Sequence, residues 1–182
     1  MTLNLSSFKK KNFFTGVSGS GKTSLAKQVS QGINSNFIPF DDFYKYNLVR
    51  VAEGLKEFKY YTRAENVLSD ASSLVYEIMG QHERYCMDAL PACNEIDIDK
   101  LIIYSEERDD ISITIIKCSK ESWIKRKSGE DDFNAEEYDH FYYADGGAIH
   151  FWKPLLDSNQ IFFYNSDTSS FCGSLEELYE QT

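Results

Sequence analysis

The chain has 182 residues, 42% of them apolar and 26% charged, a balance that excludes wholesale disorder and fits one globular domain over 1–182. Its longest apolar runs, among them Leu101 to Tyr104 and Ile161 to Tyr164, are four residues, far below the about 18 needed to cross a bilayer. The formal charge of −10 argues against a nucleic-acid-binding surface, which needs a basic face to release phosphate counterions. Four cysteines (Cys86, Cys93, Cys118, Cys172) form no CxxC pair and read as small buried thiols. The N-terminus lacks the order of a secretory signal, so a cytoplasmic setting is expected.

An acidic chain that binds phosphate must do so at one concentrated site, and residues 16 to 23 supply one. They read Gly16-Val17-Ser18-Gly19-Ser20-Gly21-Lys22-Thr23, a GxxxxGK[ST] pattern. Glycines let such a loop curl so that successive N–H groups point at phosphate oxygens, and the following helix adds its orphan amides and positive dipole end. Lys22 is expected to meet the β- and γ-phosphates and the Thr23 hydroxyl to ligate Mg²⁺. The context agrees, with a short strand at 12–15 before the loop and a helix from Ser24 to about Gly32 after it.

Residues 36 to 40 read as a second strand that delivers Asp41 and Asp42 to its C-terminal end, where open α/β sheets bind ligands. A carboxylate there could accept a hydroxyl proton or hold water on the metal. From Glu65 to Leu90 apolar residues recur at helical spacing, which predicts a long amphipathic helix ended by Pro91, with His82 on its packing stripe. Residues 100–104 and 111–116 read as two strands, either an antiparallel pair or non-adjacent parallel strands, because the link 105–110 is too short for a parallel crossover. A helix capped by Ser119, an aromatic-rich helix at 135–144, a last strand at 161–164 and a capped helix at 174–178 complete an alternation of strands and helices.

The phosphate loop followed by a strand ending in Asp41-Asp42-Phe43-Tyr44 resembles the uridine kinase and phosphoribulokinase branch of the small P-loop kinases. The resemblance implies a three-layer α/β/α P-loop NTPase fold with a mostly parallel central sheet and a helical lid at 119–145. It implies an acceptor-binding insertion at 46–99, although nothing in that stretch matches the branch. By the same likeness Asp41 orients or deprotonates the acceptor hydroxyl, while Tyr44, with Asp42 beside it, contacts substrate. Glu106, at the end of the strand expected at 100–104, carries an acid toward the metal, and Arg126 is the lid cation.

The implied activity is transfer of the γ-phosphoryl group of ATP, with Mg²⁺, to a hydroxyl of a small molecule such as a nucleoside. Two rivals are a nucleoside monophosphate or polynucleotide 5′-end kinase, and a regulatory module that binds nucleotide without transferring phosphate. A phosphorylated acceptor would need further cations, which Arg63 and Arg84 would have to provide.

Overall fold

A computed structural model of the chain describes residues 5–40, 82–90, 95–130 and 133–182. Six strands form one sheet: β1 (Lys11–Thr15), β2 (Asn36–Ile38), β3 (Tyr85–Met87), β4 (Ile111–Lys117), β5 (Gln160–Asn165) and β6 (Ser170–Cys172). Their spatial order is β2-β3-β1-β4-β5-β6. The first five run parallel, and β6 pairs antiparallel with β5 at the edge.

The described helices are α1 (Lys22–Gly32), α2 (Glu95–Arg108), α3 (Lys120–Lys127), α4 (Glu136–Tyr143), α5 (Ala148–Phe151), α6 (Lys153–Asp157) and α7 (Leu175–Glu180). Ser119 and Ser174 cap α3 and α7 by accepting from Ser122 N and Glu177 N.

Alternation along the strands sorts the core into two faces. On one, Phe14, Cys86 and Ile116 pack under Leu25, Ala26 and Val29 of α1. On the other, Phe13, Tyr85, Met87 and Ile113 meet Ile98 and Leu101 of α2 and Leu155 of α6. Further along that second face, Ile115 lies with Trp123 of α3 and with Tyr138 and Tyr142 of α4. Both faces are thus covered by helices, which is why β4 is buried along its whole length.

Two expected elements differ. The apolar run 100–104 belongs to helix α2, not to a strand. Ile98, Leu101 and Ser105 are buried at helical spacing while Ile103 is 56% exposed, a pattern that an isolated four-residue run does not reveal. The helix expected over 65–90 does not reach its end, because residues 85–87 form β3 between β1 and β2. Tyr85, Cys86 and Met87 are all wholly buried, as a strand covered on both faces requires. The part of that helix at 65–81 lies outside the described residues.

Candidate active site

The C-terminal ends of β1, β3, β4 and β5 share one edge of the sheet, and the site is built there. The loop leaves β1 hard against β4, where a β-carbon on Gly16 would stand 2.4 Å from the Ile116 carbonyl. Gly19 lies at φ +80°, a left-handed conformation that favours glycine. Ser20 N–H donates to the Val17 carbonyl at 3.0 Å and closes the turn inside the loop. Lys22 Nζ folds back over the loop and donates to the carbonyls of Gly16 (2.9 Å) and Val17 (3.1 Å).

Three more elements brace the loop. The Tyr142 hydroxyl of α4 donates to the Ile116 carbonyl (2.6 Å) and accepts from Val17 N–H (3.3 Å), locking the loop's root to β4. From α3, Trp123 Nε1–H donates to the Ser18 carbonyl at 2.7 Å. Arg126 donates to the Gly19 carbonyl, to Ser166 Oγ and to Asp167 Oδ1 at 3.4, 3.3 and 3.1 Å. Lys127 reaches Ser18 Oγ and pairs with Glu130. From the end of β5, Asp167 accepts from Ser119 N–H at 2.7 Å and so fastens the start of α3. Burial pushes the Asp167 carboxyl up, but the hydrogen bonds from Ser119 and Ser122 and the Arg126 charge outweigh it and hold it below the usual carboxylate range.

A residue that sequence reasoning missed completes the arrangement. Asp88 directly follows β3, and its Oδ2 accepts from the Thr23 hydroxyl at 2.6 Å while its Oδ1 accepts from Phe40 N–H at 2.8 Å. The signal was present as a short apolar run, Tyr85-Cys86-Met87, ended by an acid. The helical period read across it concealed the strand.

Of the other candidate site residues, Arg126 stands beside the loop. Glu106 does not stand at a strand end. It is exposed near the C-terminus of α2, which runs on through Asp109 to the start of β4 at the opposite edge of the sheet. Arg84 is also at that far edge. It precedes β3, its carbonyl accepts from Asn36 N–H, and it borders a recess with Lys9, Lys10 and Asp109. Both stand at the sheet edge away from the loop. Asp41, Asp42, Tyr44 and Arg63 lie outside the described residues.

Among the described residues no group of three or more His, Cys, Asp or Glu side chains converges on a metal position. The Thr23 hydroxyl and Asp88 carboxylate nevertheless form a pair of hard oxygen donors at the mouth of the loop. That set fits Mg²⁺, which usually takes one or two protein oxygens and completes its shell with phosphates and water.

No family profile and no curated protein matches the sequence. Among solved structures, the chain is similar to a shikimate kinase from Bacteroides thetaiotaomicron, with a TM-score of 0.57 at 15% identity over 94% of this chain and 93% of that one. It is likewise similar to a gluconokinase from Sinorhizobium meliloti 1021, with a TM-score of 0.52 at 14% identity over 96% of this chain and 90% of that one. At that identity the likeness concerns the fold alone, an α/β fold with a mostly parallel central sheet covered by helices on both faces.

Proposed function

We propose that the chain is an ATP- and Mg²⁺-dependent phosphotransferase whose acceptor is a hydroxyl of a small molecule. The observation that carries this reading is the Thr23–Asp88 hydrogen bond at the mouth of the GxxxxGK[ST] loop, which sets a carboxylate beside a motif built for polyphosphate. The two structural neighbours, a shikimate kinase and a gluconokinase, support it by their fold.

In this reading the loop amides and Lys22 hold the donor's phosphates, with Arg126 beside them, and Thr23 with Asp88 holds the metal. The bound Mg²⁺ neutralises charge that develops on the phosphoryl oxygens. The acceptor oxygen attacks the γ-phosphorus, its proton passes to a carboxylate, and the bond from the γ-phosphorus to the bridging oxygen breaks to release ADP. Asp41 is the proposed carboxylate. The chain passes to it from Phe40, whose N–H is fixed on Asp88 at the same sheet edge as the loop. Such catalysis rests on positioning and electrostatics rather than covalent chemistry.

The expected insertion 46–99 and the cover at 119–145 belong to the same proposal as acceptor-binding region and lid. Within the expected insertion 46–99, the strand at 85–87 is part of the sheet itself. A nucleoside acceptor, as in the uridine kinase branch, rests on Asp41 to Tyr44 alone. A phosphorylated acceptor is less well served, since Arg84 stands at the wrong edge. A cytoplasmic setting goes with the proposal, and among the described residues no helix is long and apolar enough to cross a membrane.

The test is ATP consumption against a panel of nucleosides, sugars and vitamins, with Lys22→Ala as the control. Acceptor-dependent turnover that Lys22→Ala abolishes is the expected result. Mg·ATP binding by calorimetry that Lys22→Ala leaves unchanged refutes the loop assignment.

A further inference from the structure

The orientation of one loop amide is controlled from outside the loop. Ser18 and Gly19 share a peptide plane, and no peptide bond in the described chain is cis. In a trans peptide the carbonyl of one residue and the N–H of the next point in opposite directions. The Ser18 carbonyl is held toward α3 by the Trp123 indole N–H at 2.7 Å, so the Gly19 N–H faces away from α3.

The neighbouring amides are committed elsewhere: Val17 N–H to the Tyr142 hydroxyl and Ser20 N–H to the Val17 carbonyl. Gly19 N–H donates to no described residue. The plane is not fixed by local sterics, because glycine tolerates both orientations of the peptide before it, and Ser18 and Gly19 are exposed enough for water to solvate either. Trp123 itself is wholly buried, with its ring 5.4 Å from Phe133 and 5.5 Å from Tyr138, so its N–H is a rigid donor.

We infer that Trp123 is a positioning residue for the phosphate loop: its indole N–H holds the Ser18–Gly19 peptide in the one orientation that presents the Gly19 amide to a bound phosphate. This rests on the reading that the loop takes a nucleoside polyphosphate. Without the indole donor the peptide populates both orientations. Affinity then falls in proportion to the competent fraction, about tenfold if that fraction drops to about a tenth.

The test separates the hydrogen bond from the packing. Tryptophan is replaced by β-(3-benzothienyl)alanine, which keeps the bicyclic shape but carries sulfur in place of N–H. A Trp152→Phe background confines the replacement to position 123, since the chain has two tryptophans. The same background with ordinary tryptophan is the reference. Mg·ADP binding is measured by calorimetry, and the Gly19 amide is followed by NMR in protein labelled with [¹³C]serine and [¹⁵N]glycine.

The expected result is a dissociation constant raised about tenfold, with a smaller or split Gly19 amide response to Mg·ADP and a melting temperature within a few degrees of the reference. Equal affinity with an unchanged Gly19 response overturns the positioning role while leaving the nucleotide reading intact. A melting temperature lowered with affinity kept assigns Trp123 to packing alone and overturns it as well. Failure of the reference protein to bind Mg·ADP overturns the nucleotide reading, and the inference with it.

Discussion

Asp88→Asn probes the site most directly, because the amide is nearly isosteric with the carboxylate and alters only its charge and one acceptor. In the structure Oδ1 accepts from Phe40 N–H at 2.8 Å, and an asparagine carbonyl oxygen does the same. Oδ2 accepts from the Thr23 hydroxyl at 2.6 Å; an NH₂ placed there donates to that hydroxyl instead, so the contact survives with its polarity reversed. Folding stability should therefore change by no more than about 1 kcal/mol, since both pairings are retained.

Metal binding has no such compensation. The variant loses a hard anionic oxygen from the mouth of the loop and turns an N–H₂ group toward the cation. A charge-assisted interaction is worth about 1.5–3 kcal/mol, which corresponds to about 10- to 150-fold in affinity. The assay is calorimetric titration of ADP with Mg²⁺ and with chelator, on both proteins. Wild type should bind ADP more tightly with Mg²⁺, and Asp88→Asn should lose most of that enhancement while keeping its metal-free affinity. An unchanged Mg²⁺ enhancement refutes the assignment of Asp88 to the metal. Loss of more than about 3 kcal/mol of stability makes the residue a structural tie between β2 and α1 instead.

Other expectations follow from the same geometry. Arg126→Ala should lower kcat more than Mg·ATP affinity, while costing only about 0.5 kcal/mol of stability because its pair with Asp167 is partly exposed; weakened affinity with kcat unchanged assigns it to ground-state binding. Asp41→Asn should leave Mg·ATP binding near wild type and reduce transfer by on the order of 10² or more, as removal of a general base does; near-full activity in a coupled assay refutes that role. Lys117 is wholly buried, its Nζ lies 5.3–5.7 Å from the rings of Tyr138, Tyr142, Tyr143 and Tyr179, and desolvation lowers its pKa from 10.5. A lowered lysine pKa means the unfolded chain binds more protons between the folded and unfolded values, so stability rises with pH there. Lys117→Met should therefore raise Tm at pH 7, with the gain shrinking as pH climbs toward 10.5; a Tm lowered at pH 7 refutes it.

The GxxxxGK[ST] loop was legible because its pattern is local: eight consecutive residues specify the turn, the lysine and the hydroxyl. Helices α3 and α7 were legible for a related reason, each having a serine cap before its first turn. Strand β4 could be read from Ile111, Ile113, Ile115 and Ile116, whose branched side chains suit a strand buried on both faces. What failed were short apolar segments whose period is decided by tertiary contacts. Leu101 to Tyr104 is apolar on every side, and only the burial of Ile98 and Leu101 against β1, β3 and β4 selects the helix. Tyr85 to Met87 is too short to show any period, and becomes a strand because β1 and β2 leave a gap of one strand between them. Asp88 was invisible for the same reason, since its role depends on which strand it follows. The braces on the loop were unreadable in principle, as Trp123 and Tyr142 lie 105 and 125 residues from the loop atoms they bond.

The proposed binding of a polyanion is compatible with the chain's charge of −10 because of how the cations at the loop are kept. Lys22 rests on the carbonyls of Gly16 and Val17, Arg126 on Asp167, and Lys127 on Glu130. Arg126 and Lys127 are each paired with a carboxylate, and Lys22 lies on carbonyl dipoles, so on the proposed reading long-range steering would contribute little to nucleotide capture. On that reading, binding would be an exchange in which phosphate oxygens compete with backbone carbonyls and two carboxylates for cations already in place. Exchange of one anionic partner for another releases few counterions and depends weakly on salt. The fixed amides of the loop must then supply much of the discrimination, and their directions matter more than the number of cations nearby. That weight on amide geometry explains why so much of the surrounding structure grips the loop: one tyrosine holds its root, and one helix holds its outer turn through an indole, a guanidinium and an ammonium group.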